Sequence, residues 1–321
     1  MKIKEIINNN SSFVVVSHSN PDGDAVGSSA AVYELLKMLH KDVVVANESP
    51  IPAKYSFLSG YQSFVPLNSA SNRVYDVIFL LDTSSLSLIR QTGFDPHDLG
   101  KTSVNIDHHK DNTLFGDHNY VDSSASACGE IIYEVVREIF SFVPRSIAEA
   151  LYTAIVTDTG QFSYSNTTPK TLIVVSELLK TGIDAHEISR KLFKEKGFES
   201  QMLLGRLLTN MKRSNDGKVV YSILTAKDFQ ETGTTEGDTE NIVDQLNNIK
   251  DTEAAFLLRE RGKGVWKISF RSHNIDVSSV AKLFGGGGHR NAAGAETQGN
   301  PEEIINKIKA KLGELIDGYN N

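Results

Sequence analysis

"FVVVSHSNPDGDAVGSSAA", residues 13–31, sets three things side by side: an apolar run, a loop holding His18, Asp22 and Asp24, and a stretch of small residues with helical character. The run reads as a buried strand, and the small residues read as the helix that follows it, which is how an α/β fold opens. Gathering two carboxylates and an imidazole in one short loop raises a physical question. Like charges repel at that spacing, and a carboxylate leaving water needs a positive partner. Either the loop is solvated and Asp24 only caps the helix, or a cation belongs there.

The pattern continues outward from that stretch. Short strands are expected at 43–46 ("VVVA"), 76–81 ("DVIFLL") and 102–106 ("TSVNI"), with helices at 25–39, 125–140, 146–157 and 170–180. Continuous apolar strands alternating with helices predict a mostly parallel sheet covered on both faces. After residue 183 the pattern changes. Residues 184–215 read as a charged helical linker, and residues 216–321 as a smaller α/β domain. In that domain strands are expected at 218–225, 253–260 and 264–271, helices at 239–249, 276–284 and 301–317, and a glycine loop before the last helix. The division is therefore 1–183, 184–215 and 216–321.

Composition bounds the function. The net charge is −7 and no block of Lys/Arg occurs, which argues against tracking long nucleic acid. Cys128 is the only cysteine, so neither an intrachain disulfide nor a cysteine-rich zinc site is available. No apolar stretch approaches the roughly 18 residues of a membrane span. "MKIKEIINNNSS" lacks the apolar core of a signal peptide, and a cytoplasmic location is expected. "DLGKTS", residues 98–103, resembles the end of a P-loop, but position 95 is Asp rather than Gly and a strand, not a helix, follows.

The candidate chemistry lies where core elements meet loops. Asp82 ends one expected strand, Asp107, His108 and His109 end another, and Asp158 ends the apolar helix "ALYTAIVTD". Ligands bind at the carboxyl ends of strands in open α/β sheets, so these segments and the first loop can converge. A single Asp after a strand is most simply a turn residue. Four such segments, two of them with histidine, make that reading weak. Carboxylates with imidazole and no thiolate favour Mn²⁺, or Mg²⁺, over zinc. Six candidate ligands suit a pair of ions with one bridging carboxylate, an arrangement suited to phosphoryl chemistry.

"HSNPDGDAVGS", "LLDTSS", "IDHH" and "VTDTGQF" resemble the four motifs of the DHH phosphoesterase superfamily, in the same order. "FRSHNIDVSSVAKLFGGGGHRNAAGA", residues 270–295, resembles the glycine-rich signature of its DHHA1 branch. Within it the likeness is to NrnA-type bifunctional oligoribonucleases that also dephosphorylate 3′-phosphoadenosine 5′-phosphate (pAp). The resemblance implies a DHH domain and a DHHA1 domain with an active-site cleft between them. It implies two Mn²⁺: His18 and Asp22 hold one, Asp24, His108 and Asp158 hold the other, and Asp82 bridges. It implies a catalytic role for His109 near the scissile phosphate, with Asp107 orienting a neighbouring histidine; on its residues alone Asp107 reads equally well as a strand-end turn. Arg271, Ser272, Gly286, Gly287, Gly288 and His289 are expected to bind substrate. Arginine suits phosphate, and glycines admit a close-lying ligand. Trp266 reads as core.

Short RNA or DNA oligonucleotides, linear dinucleotides and small phosphorylated nucleosides are the expected partners; a homodimer is left open. A pyrophosphatase or exopolyphosphatase, and an inactive nucleotide-binding regulator, are the rival readings.

Overall fold

The computed structural model describes residues 2–89, 94–239 and 242–320. It divides into two compact units, Met1–Glu195 and Lys196–Asn321.

The first unit runs α1 (Ile3–Asn9), β1 (Ser12–Ser17), α2 (Gly23–Met38), β2 (Asp42–Asn47), β3 (Phe64–Pro66), α3 (Leu67–Ala70), β4 (Tyr75–Leu81), β5 (Gly100–Asp107), β6 (His118–Val121), α4 (Cys128–Ile139), α5 (Arg145–Asp158), α6 (Pro169–Leu179) and α7 (Ala185–Ser189). Its strands form a six-stranded sheet in the order β3-β2-β1-β4-β5-β6, and every pairing is parallel. The expected parallel sheet is therefore present. The order reverses direction between β1 and β4, and the carboxyl ends flanking such a switch point form a crevice. Ser17 pairs with Leu81 there, so His18 and Asp82 leave the sheet side by side.

Both faces are buried, which explains the unbroken apolar runs. Phe13 and Val15 join the core under α1, α2, α4 and α5, while Val14 and Val16 join a smaller core on the opposite face. That second face is covered by the single turn α3 and short 3-10 segments rather than by long helices. α2 and α5 meet backbone to backbone: a Cβ at Gly27 would stand 2.5 Å from the Ala150 carbonyl oxygen. This close approach brings the start of α2 to the end of α5. Gly100, in the P-loop-like "DLGKTS", simply opens β5.

The second unit contains α8 (Phe198–Thr209), β7 (Lys212–Arg213), β8 (Val219–Leu224), α9 (Ala226–Thr232), α10 (Asp244–Asn247), β9 (Ala254–Gly262), β10 (Val265–Ser272), α11 (Val277–Lys282), β11 (Gly287–His289), β12 (Ala292–Gln298) and α12 (Pro301–Asn320). Its sheet is mixed, in the order β11-β12-β10-β9-β8-β7, with only β8 and β9 parallel. Trp266 is buried in its core, its indole N–H donating to the Gly299 carbonyl at 3.2 Å.

Three expectations change. The stretch read as one helical linker, 184–215, is divided: Ile188 and Leu192 pack into the first unit's core, and Leu203 and Leu207 of α8 into the second's. The helix expected at 239–249 is one α-turn, α10, preceded by a 3-10 turn at Glu236–Thr239; residues 240 and 241 lie outside the described residues. The expected glycine loop is partly an edge strand, β11, paired with an unforeseen β12. Among the described residues no helix is long and apolar enough to cross a membrane.

Candidate metal centre

The switch point gathers the predicted ligands. β1 delivers His18, the start of α2 delivers Asp22 and Asp24, β4 delivers Asp82, β5 delivers Asp107, His108 and His109, and the end of α5 delivers Asp158. Three overlapping groups form: His18, Asp22 and Asp82; Asp82, His108 and His109; and Asp24, His108 and Asp158, so that Asp82 and His108 link two flanking clusters.

The spacings are ones that a divalent cation could bridge. His18 Nε2 lies 3.8 Å from Asp22 Oδ1 and 3.6 Å from Asp82 Oδ2. His108 Nε2 lies 3.7 Å from Asp24 Oδ2 and 3.6 Å from both Asp82 Oδ1 and Asp158 Oδ2. These are too long for hydrogen bonds. Two atoms each about 2.1 Å from one ion stand on the order of 3.0–3.6 Å apart, so the observed gaps come within a few tenths of an ångström of a coordination shell. Asp82 Oδ1 is buried with no hydrogen-bond partner. A buried carboxylate oxygen without a donor is costly, and a cation between it and His108 removes that cost. The residues therefore fit divalent cations, with Asp82 facing both clusters.

Local structure holds each ligand. Asp82 takes φ 51°, the left-handed region, which is rare for a residue with a side chain and costs free energy that the surrounding fold must supply. His18 Nδ1 stands 2.9 Å from the Ser19 carbonyl, which can only accept; Nδ1 therefore carries a proton, and the ring turns Nε2 toward the carboxylates. Asp22 caps α2, its Oδ1 accepting from the Asp24 and Ala25 amides. Asp24 is held by three donors: the Cys128 amide at 2.6 Å, the Gly129 amide at 3.0 Å and the Ser28 hydroxyl at 2.9 Å. It thus sits on the amino end of α4, where unpaired amides favour negative charge. Asn166 donates to the Asp158 carbonyl at 3.1 Å and to Asp158 Oδ2 at 3.3 Å.

His109 is arranged differently. Its Nδ1 stands 2.7 Å from Asp107 Oδ1, and Asp107 Oδ2 accepts from Asn112 at 2.6 Å. Asn112 also donates to Asn105 Oδ1 at 2.8 Å. Asp107 is fully buried, and this chain fixes the His109 ring with Nδ1 occupied and Nε2 free. Although His109 Nδ1 lies 3.7 Å from Asp82 Oδ1, its bond to Asp107 competes with ligation there.

Crowded carboxylates and imidazoles shift one another's pKa values. Burial, with the charges of Asp82 and Asp158, raises the Asp24 carboxyl well above the carboxylate range. Burial also raises Asp158 to about 6, with Asp82 and Asp22 adding and His108 opposing. Burial lowers His18, but Asp22 and Asp82 outweigh it and push the imidazole up to about 11. The bond to Asp107 raises His109 to about 9 against its own burial.

The second unit treats its predicted residues otherwise. Arg271 Nε donates to Asp244 Oδ1 at 2.7 Å and Nη1 to the Phe270 carbonyl at 3.0 Å. Ser272 is buried and its hydroxyl donates to the Ile275 carbonyl at 2.5 Å; it serves the turn, and this geometry does not bring it into a substrate surface. A Cβ at Gly286 would stand 2.1 Å from the Gly294 carbonyl oxygen, so Gly286 lets the chain lie against β12. Gly288 has φ 140° and pairs with Ala293. Gly287 is the open one, with nothing within 4 Å of its missing Cβ. His289 pairs through its backbone with Ala292; its side chain lies outside the described residues.

Reading residues by side-chain chemistry missed the amides of Cys128 and Gly129 and the carboxamides of Asn112 and Asn166. Amides have no residue signature, although "SASACGE" does mark a helix start. Asn112, three residues beyond "DHH", was the findable one.

Comparison with known proteins matches these two units. The model of the DHH family, N-terminal domain, matches residues 12–155, and that of the DHHA1 domain matches residues 216–316. A bifunctional oligoribonuclease and PAP phosphatase, NrnA, of Bacillus subtilis is 30% identical over 285 residues, spanning 87% of each chain. A protein of the same name from Thermus thermophilus is 29% identical over 310 residues, spanning 93% of this chain and 89% of its own. The crystal structure of an exopolyphosphatase-related protein of Bacteroides fragilis superposes with a TM-score of 0.89 at 28% identity, covering 97% of this chain and 94% of its own.

Proposed function

The chain belongs to the DHH family, with a DHHA1 domain, and from that premise we propose that it is a manganese-dependent phosphoesterase that hydrolyses short oligonucleotides, linear dinucleotides and pAp. The observation that carries this reading is the pair of ligand clusters linked through His108 and Asp82, whose Oδ1 is buried without a donor. The names of the two relatives support the substrate class.

His18 and Asp22 would hold one cation, Asp24, His108 and Asp158 the other, and Asp82 both. When bound, such a pair acidifies a water and offsets charge on the phosphate oxygens; Mn²⁺ suits the imidazoles and Mg²⁺ is the alternative. The chain's own groups do the rest. The amides of Cys128 and Gly129 fix the Asp24 carboxylate and favour its ionised form against the burial that raises it. Asp107 holds a proton on His109 Nδ1 and stabilises the imidazolium, whose Nε2–H would donate to a leaving oxygen or steady its charge. Arg271 of the second unit would bind the substrate's terminal phosphate, exchanging the Asp244 carboxylate for it, and Gly287 would let a ligand lie against the backbone.

Turnover of pAp, a short RNA and pyrophosphate, each with Mn²⁺ and with a chelator, tests the reading. The first two substrates should be hydrolysed and chelation should abolish both activities. The name of the Bacteroides fragilis protein favours a second reading, an exopolyphosphatase. Faster turnover of pyrophosphate or polyphosphate than of either nucleotide substrate would establish it instead.

A further inference from the structure

A cavity of about 400 Å³ opens in the second unit between α9, the turn after it and the end of β9. Its lining includes Phe229, Glu236, Arg259, Glu260 and Arg261. Arg259 is the unusual member. Only 7% of it is exposed, its Nη2 donates to the Ser269 hydroxyl at 2.5 Å and its Nη1 to the Thr239 hydroxyl, and its Nε has no partner. No carboxylate pairs with it among the described residues.

The carboxylates nearby are already committed. Glu236 takes both Arg261 and Lys267, and Glu260 accepts from the Ala226 amide at 2.9 Å. Arg261 has a second carboxylate in Glu296, at 2.7 Å. Arg259 is thus a buried guanidinium bonded only to neutral hydroxyls, beside a cavity. Buried charges in proteins are normally paired. Burial, with Arg261 and Arg271 adding to it, holds its pKa below the usual arginine range despite Glu236.

We propose that this cavity is a second anion site, taking the phosphate group of a mononucleotide-sized ligand on Arg259, with the Phe229 ring available to a base. Guanidinium is the preferred partner for phosphate oxygens, and the volume falls in the range of small-molecule sites. Its lining residues are none of those assigned to the metal centre, and Arg271 is not among them.

Hydrogen–deuterium exchange of the full chain, read by peptide, tests it with two probes, inorganic phosphate alone and AMP. Exchange should slow in peptides covering residues 226–236 and 257–262. Arg259→Met should raise the concentration needed tenfold or more. Ala226→Glu places a carboxylate on the exposed first turn of α9; it should have the same effect without touching the core, which keeps the test open if Arg259→Met does not fold. Slowing by phosphate alone assigns the site to the phosphate group; slowing by AMP only assigns it to the nucleotide. Either upholds the proposal. No slowing there with either probe, or undiminished slowing in Ala226→Glu, overturns it.

Discussion

The carboxyl ends of β1, β4 and β5 and the Arg271–Gly288 edge of the second unit are both built from charged and glycine-rich segments, yet they are finished differently. At the first, Asp24, Asp82 and Asp158 crowd around His108 at distances that no hydrogen bond explains, and one buried oxygen has no donor. At the second, Arg271 already has Asp244, Ser272 has Ile275, and two glycines are needed for strand pairing and packing. The first region leaves a buried carboxylate oxygen without a donor from the described residues. The second is satisfied by its own residues and can take a ligand only by exchanging partners. A centre of the first kind should fail outright when a ligand is lost; one of the second kind should weaken by degrees.

The largest expected effect is therefore at Asp82. Asp82→Asn should lower turnover of every substrate by on the order of a thousandfold or more, because the residue faces both clusters. Circular dichroism should show an intact fold, and near-wild-type turnover would erase the contrast. Arg271→Ala should cost roughly 10- to 150-fold in kcat/KM for pAp, the value of charged hydrogen bonds. Hydrolysis of bis-p-nitrophenyl phosphate, which offers no nucleotide, should fall much less. Equal losses on the two substrates would make Arg271 part of the chemistry.

Asn112→Ala probes the support beneath the first region. Loss of an outer contact of this kind typically costs roughly 10- to 100-fold. It should appear in kcat rather than KM, since His109 is the group released. An unchanged kcat would detach the Asn112–Asp107 chain from catalysis. The smallest effect belongs to Asp244→Asn. It releases a partly exposed pair of the kind worth ~0–1 kcal/mol, so KM for pAp should fall by no more than about fivefold. A rise in KM would show that Asp244 orients Arg271 instead of competing for it.

Much of this was legible in the sequence, for definite reasons. A parallel sheet buried on both faces writes itself as unbroken apolar runs, so β1, β2, β4 and β5 stand out, and their ends mark His18, Asp82 and His108. β3 and β6 are short, half-buried edge strands without such runs, and they went unseen. The charged stretch from 184 carries helical spacing throughout. Its break at Glu195–Gly197 follows from which core each half packs against, which spacing alone does not record. Residues 285–288 read as a loop because glycine has low strand propensity; at Gly287 and Gly288 pairing with β12 overrides it. The amide support of Asp24 comes from residues 104 and 105 positions away, a link that only the fold creates.

A two-cation centre that shares Asp82 is tested most directly by the number of Mn²⁺ bound per chain. Equilibrium dialysis of the wild-type chain and of Asp82→Asn, with metal counted by mass spectrometry, gives it. The predicted result is two ions per chain in the wild type, with turnover rising as the second binds, and loss of the pair in Asp82→Asn. One ion or none in an active wild-type chain, or two retained with undiminished affinity in Asp82→Asn, would contradict it.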